Sequence, residues 1–217
     1  MRPCATTLAA EMTPAEHELL LATLRNQRGS GLHLEIGTAA GGTLCAMLGA
    51  FPAGSRPPFV VVDPMRYFPQ QLDLVRKNLR DHGLDPAEVD FRVSTSAVAF
   101  LDSSGRQEAY DFMLIDGCHK IRSVTMDLKW TRQLRVGGVV CFHDFIPEHR
   151  GVWLAVNRFL SRHANYEKVA QADSLLVVRK TAPSTELEIT AADEWYARAW
   201  YLPLQIERKW QKLRRAA

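Results

Sequence analysis

Cysteine is scarce and unpaired in this sequence. Its four cysteines, Cys4, Cys45, Cys118 and Cys141, lie far apart. That excludes the C-x-x-C spacing of a structural zinc site and offers no disulfide framework. Three of them fall in segments that read as core, so reduced thiols in a cytoplasmic protein are expected. Long apolar runs are also missing, and none approaches the roughly 18 residues of a membrane span. The first residues carry one Arg, a mild "TLAA" and then Glu11, which is not the build of a signal peptide. Internal repeats and low-complexity blocks are absent. Neither sign of charge dominates: 27 Lys and Arg face 24 Asp and Glu, a formal net charge of +3. The excess is local. Residues 195–217 hold Arg198, Arg208, Lys209, Lys212, Arg214 and Arg215 against Glu207 alone, so the rest of the chain is slightly acidic. No nucleic-acid partner is expected for that body.

What remains is an ordinary globular composition, 47% hydrophobic and 24% charged over 217 residues. That length suits one domain with at most a small appendage. We expect a body over residues 1–182, with its core at about 30–180, and a helical tail over 183–217. "TPAEHELLLATLRNQRG" opens with a capping box on Thr13 and Glu16, with Pro14 at the first helical position. Beyond it, strand-like and helix-like segments alternate: "LHLEIG", "GGTLCAMLGAF", "PPFVVVDP", "PQQLDLVRKNLRDHG", "VDFRVSTS", "YDFMLIDG", "RSVTMDLKWTRQLRVGG", "VVCFHDF" and "GVWLAVNRFLSRH". The seventh of these reads as a helix closed by Gly137-Gly138. "YEKVAQ" and "SLLVVRK" follow with too short a link for a crossover helix, so they predict a hairpin with an antiparallel last strand. The pattern predicts an α/β fold, a Rossmann-like doubly wound and mostly parallel sheet with helices on both faces.

In such a sheet ligands bind beyond the carboxyl ends of the strands. Five polar stretches occupy those places: Glu35 to Gly42, Asp63, Ser94 to Ser96, Asp116 to His119, and His143-Asp144. In "LEIGTAAGGT", Gly37, Gly41 and Gly42 allow close backbone approach to a ligand. Thr38 and Thr43 add hydroxyls to the same turn. The spacing is not the G-x-G-x-x-G of a dinucleotide site. Glu35, two residues before the first glycine, would repel a diphosphate and attract an amino group.

These residues resemble the class I S-adenosylmethionine-dependent methyltransferases, whose first motif reads roughly E/D-x-G-x-G-x-G. Glu35, Gly37 and Gly41 match it, with Ala39 at the middle glycine. The resemblance is closest to the cephalosporin hydroxylase-like and macrocin-type O-methyltransferases, on four motifs in order. They are Asp116-Gly117-Cys118-His119, Asp127-Leu128-Lys129-Trp130, Gly137-Gly138 and His143-Asp144. It implies a seven-stranded sheet and S-adenosylmethionine as cofactor. It also implies an acidic residue for the ribose hydroxyls at Asp63 and an adenine contact at Thr95 or Ser96, where the family often has a carboxylate. The acceptor would be a small hydroxylated molecule, a sugar or a secondary metabolite.

Methyl transfer must align the nucleophile and remove its proton. An imidazole of ordinary pKa suits that task, which makes His119 and His143 the catalytic candidates. Asp116 could orient an imidazole, touch the cofactor amine or bind a metal. Related enzymes hold a divalent cation at positions that match Asp116, His143 and Asp144. That set could hold Mg²⁺, though its imidazole favours Mn²⁺, Fe²⁺ or Zn²⁺. Asp127 and Trp130 read as structural, Cys118 as a core or wall residue, and His33, His82, His149 and His163 have no motif around them. Two other functions compete: a nicotinamide-dependent oxidoreductase and a catalytically silent binding domain. In the tail, Trp195, Ala199, Leu202, Ile206, Trp210 and Leu213 recur at helical spacing, with Pro203 predicting a break and a second helix. The stripe is read as a contact with the body or across a homodimer, and its modest apolar area speaks against a membrane partner.

Overall fold

The structure is a computed structural model and describes residues 12–27 and 29–216. Cys4 lies outside them. Helix α1 (Pro14–Arg25) starts at the expected capping box: the Glu16 N–H donates to Thr13 Oγ1 at 3.2 Å and the Thr13 N–H to Glu16 Oε2 at 2.8 Å. Then come β1 (Leu32–Ile36), α2 (Gly42–Gly49), β2 (Phe59–Asp63), α3 (Gln71–Asp81), β3 (Val89–Val93), α4 (Ser96–Gly105) and β4 (Tyr110–Ile115). The chain continues through α5 (Ile121–Asp127), a 3₁₀ turn (Leu128–Gln133), β5 (Leu134–Phe142), α6 (Arg150–Arg162), β6 (Tyr166–Ala172), β7 (Leu175–Lys180) and α7 (Ala191–Ala216).

The seven strands form one sheet in the order β3-β2-β1-β4-β5-β7-β6. Strands β1 to β5 are parallel, and β7 runs antiparallel to both β5 and β6. The expected mostly parallel Rossmann-like sheet with an antiparallel last strand is therefore present. Strand residues alternate between two apolar layers, as the two-residue repeat demands. Leu34, Val62, Met113 and Phe142 pack with α4, α5, α6 and α7, and Val61, Phe112, Leu114 and Cys141 with α1, α2 and α3. Trp130 is fully buried in the first layer, as expected, and its Nε1–H donates to Ser96 Oγ at 2.9 Å. Among the described residues, no helix is long and apolar enough to cross a membrane.

Three expectations need correction. The helix expected to run to Gly137-Gly138 stops at Asp127, and both glycines lie inside β5. Leu134 pairs with Tyr110 and Val139 with Phe112, so β5 bulges between these pairs. Gly137 supplies the bulge with φ +86°, and a Cβ on Gly138 would lie 3.0 Å from the Asp111 carbonyl. Next, Pro203 does not break the tail, since α7 is continuous through it. Pro203 and Ala199 are both on the exposed side, where water can solvate the carbonyl that loses its partner. Finally, α7 does fold back on the body, but not through the apolar stripe. Ala197 and Leu204 are buried and Tyr196 and Tyr201 pack beside them, while Trp195, Leu202, Ile206, Trp210 and Leu213 face outward. Helical spacing finds a stripe but does not say which of two apolar faces meets the body.

Candidate active site

The strand order reverses between β1 and β4, which opens a crevice at their carboxyl ends. Ile36 pairs with Ile115, and Ile115 with Phe142. The next residues, Gly37, Asp116 and His143, therefore stand side by side along the sheet edge. Gly37 has φ +84°, and a Cβ there would sit 2.4 Å from the Asp116 carbonyl oxygen, so only glycine lets the two loops touch. Ala39, at the usual place of a glycine, holds φ +44° all the same.

The turn after β1 is braced from three sides. The Thr38 N–H donates to Asp63 Oδ2 at 3.0 Å, and the Met65 N–H to Asp63 Oδ1 at 2.6 Å. Gln71 and Asn78 on α3 donate to the Ala39 and Ala40 carbonyls at 2.9 and 2.8 Å. Glu35, Thr38, Thr43 and Asp63 are all buried around it, and Gly41 caps α2 with φ +82°. The structure thus gathers Glu35, Gly37, Thr38, Gly41, Thr43 and Asp63 into one cradle. Thr95 and Ser96 lie at the start of α4. They line a groove of about 430 Å³ with Lys120, Ser123, Asp127 and Tyr201.

The second half of the site is a cluster of imidazoles and carboxylates. His143 Nδ1 lies 3.0 Å from Asp116 Oδ1 and 3.6 Å from Asp144 Oδ2. His119 Nε2 lies 2.8 Å from Asp144 Oδ2 and 3.9 Å from Asp116 Oδ1. His149, which the sequence left without a role, joins them with its Nε2 3.5 Å from Asp144 Oδ1. Asp144 takes a left-handed turn, φ +57°, that aims its carboxylate back at these rings. On the far side, Glu16 Oε2 lies 3.6 Å from His143 Nε2 while its Oε1 accepts from Ser174 N–H and Oγ–H. The cap of α1 thus also faces the site.

Charge follows from this packing. The Asp116 and Asp144 carboxylates raise the His119 pKa to about 10, against its burial. For His143, burial favours the neutral ring, but Asp116, Asp144 and Glu16 outweigh it and hold the pKa at about 9. Burial pushes Asp144 up, yet the three imidazoles win and keep it below its usual value. The carboxylates around both catalytic candidates thus favour their protonated form, above the ordinary imidazole range. Burial pushes the Asp127 carboxyl up to about 7 against a hydrogen bond with Ser96, and the residue lines both the groove and the small space beside the cluster. Cys118 is exposed rather than in the core, and forms part of the wall of the small space around Asp116 and His143. Neither His149 nor Glu16 could be found from local motif, because each reaches the cluster through chain reversal.

The donor set suits a divalent cation. One ligand atom each from Asp116, His143 and Asp144 lies within 4.8 Å of the others, and His119, Asp144 and His149 form a second such group. Two carboxylates and an imidazole match ions that accept nitrogen as well as oxygen.

Comparison with known proteins agrees with this geometry. The family model described as a methyltransferase domain matches residues 34–145, just over half of the chain. Among curated proteins none matches significantly. A solved O-methyltransferase from Bacillus cereus in complex with SAH is similar over 81% of this chain and 86% of its own, at 18% identity and TM-score 0.62. CalS11, a TDP-rhamnose 3'-O-methyltransferase, is similar over 80% and 79%, at 16% identity and TM-score 0.60. TomG from Streptomyces achromogenes, an O-methyltransferase in complex with SAM, is similar over 84% and 91%, at 15% identity and TM-score 0.59. At these identities the structures share the fold. With the family match over the sheet edge that carries the cradle and the cluster, the chain belongs to the methyltransferase-domain family and is a class I S-adenosylmethionine-dependent methyltransferase.

Proposed function

We propose that the chain transfers the methyl group of S-adenosylmethionine to a hydroxyl of a small acceptor, a sugar or a secondary metabolite. The observation that carries this reading is the His119–Asp144–His143–Asp116 cluster beside the glycine cradle. It puts proton-holding groups next to the place where the fold delivers a methyl donor. The structural neighbours named above as O-methyltransferases, one of them acting on TDP-rhamnose, support an oxygen acceptor.

In this reading Asp63 holds the ribose hydroxyls, Thr95 or Ser96 meets the adenine, and the turn from Glu35 to Thr43 positions the amino acid end. Asp116, His143 and Asp144 would hold a divalent cation, Mg²⁺ or Mn²⁺. When bound, such an ion supplies a Lewis acid that favours the ionised acceptor hydroxyl. In its neutral form His119 accepts the hydroxyl proton at Nε2, 2.8 Å from Asp144 Oδ2. The sulfonium carbon–sulfur bond breaks as the oxygen–carbon bond forms, leaving a neutral thioether, and the proton rests on His119. Asp144 then steadies the imidazolium across the 2.8 Å contact already present.

The test is incubation with methyl-labelled S-adenosylmethionine and a panel of hydroxylated sugars, phenols and macrolides, with and without chelator. Label on an oxygen of an acceptor, lost in chelator and restored by Mg²⁺ or Mn²⁺, is the expected result. Label on nitrogen or carbon would overturn the oxygen assignment. Transfer indifferent to chelator would overturn the cation.

A further inference from the structure

Helix α7 has two apolar faces, and the body uses only one. Its inner face is held by buried Ala197 and Leu204, by Arg158 on Asp193 at 2.8 Å and by Lys129 on Glu194 at 2.7 Å. On the opposite side Trp195, Leu202, Ile206, Trp210 and Leu213 form a continuous stripe, each more than half exposed, and no described residue covers it. Two tryptophans and three large aliphatics in water on one line of a helix are not needed for the fold. Contiguous exposed apolar surface of this kind marks an interaction site.

We propose that this outer face of α7 docks on an anionic lipid membrane, with the helix lying in the plane of the surface. The charges flanking the stripe select the occupant. Exposed Lys209 and Arg214 flank its distal half on either side, and Arg198 flanks it near Trp195. The acidic groups of the helix are already engaged: Asp193 by Arg158 and Arg162, Glu194 by Lys129, and Glu207 by Arg150 at 3.6 Å. A second copy laid parallel would set basic end on basic end. Laid antiparallel, it would meet carboxylates that already have partners. An anionic headgroup layer complements every free cation along the stripe, and Trp side chains are at home at that depth. The helix is too polar to span a bilayer, so it lies on the surface. The apolar area is modest, and the basic residues supply the remaining attraction, which makes binding reversible and sensitive to salt. The inner face of the same helix lines the 430 Å³ groove through Ala197 and Tyr201, so docking holds that groove close to the membrane.

The experiment is co-sedimentation of the full chain with vesicles of mixed phosphatidylglycerol and phosphatidylcholine, and with vesicles of phosphatidylcholine alone. Binding at low salt is expected on the anionic vesicles, about tenfold or more weaker on the neutral ones, with a blue shift of tryptophan emission. The double substitution Ile206→Glu and Trp210→Glu abolishes it, and Lys209→Glu with Arg214→Glu weakens it about tenfold or more. All four residues are exposed, so both variants should melt with the wild type. Failure of the full chain to bind anionic vesicles at low salt would overturn the proposal, as would equal binding to neutral ones. A dimeric mass in light scattering that falls to a monomer in the Ile206→Glu, Trp210→Glu variant would also overturn it, by giving the stripe to a second copy.

Discussion

Replacing Asp63 by Asn separates a cofactor ligand from a loop brace. Both carboxylate oxygens are engaged, Oδ2 by the Thr38 N–H at 3.0 Å and Oδ1 by the Met65 N–H at 2.6 Å. In Asn one oxygen becomes an NH₂, and either orientation sets it against a backbone N–H. A hydrogen bond to a charged group is worth about 1.5–3 kcal/mol, so losing one costs about 2 kcal/mol of stability. For a chain of this size that is a fall in Tm of about 4–8 °C. The same carboxylate, in the proposed role, accepts from two ribose hydroxyls. Weakening that contact by about 1.5–3 kcal/mol lowers cofactor affinity roughly 10- to 100-fold. Calorimetric titration with S-adenosylhomocysteine, well below the melting range, reads the second effect apart from the first. If the variant melts lower but binds within twofold of wild type, Asp63 is a brace only and the ribose assignment fails.

His119→Ala or His143→Ala should lower kcat by about 10²–10⁴ with cofactor affinity nearly unchanged; wild-type rates in both would remove the imidazoles from the chemistry. Burial raises the Glu108 carboxyl, but hydrogen bonds from Arg92, Ser103 and Tyr110 outweigh it and hold its pKa at about 2. A pKa lowered on folding gives stability that is present above the unfolded value and lost as pH falls through the folded one. Melting followed by pH should therefore drop between about pH 4.5 and 2. Glu108→Gln should flatten that slope and lose about 2 kcal/mol at neutral pH; an unchanged slope would contradict the assignment. In Gly151→Ala the new Cβ would lie 2.1 Å from the His119 carbonyl oxygen, whereas in Gly49→Ala it meets nothing within 4 Å. The first should lower turnover and Tm together and the second neither; equal behaviour would show that the His119 loop yields freely.

The sheet was legible in the sequence because parallel strands are buried on both faces. "VVVDP" and "YDFMLIDG" could be nothing else, and the short Asp173-Ser174 link forces a hairpin. The polar residues after each strand were legible because the fold delivers strand ends to one edge. Three things were not. The 3₁₀ turn and bulge from Leu128 to Gly138 keep helix-like spacing in a segment that leaves the helix early. The orientation of α7 depends on which of two apolar faces finds a partner, which periodicity does not encode. The charge state of His119 and His143 depends on Asp116, Asp144 and Glu16, brought together from three separate stretches, so no local pattern reveals it.

The crevice between β1 and β4 is built for S-adenosylmethionine and not for a dinucleotide. Titration calorimetry of the wild-type chain with S-adenosylhomocysteine and, separately, with NAD tests it without knowledge of the acceptor. A saturable heat with S-adenosylhomocysteine and none with NAD is the predicted result. Binding of NAD with no heat from S-adenosylhomocysteine would contradict the account.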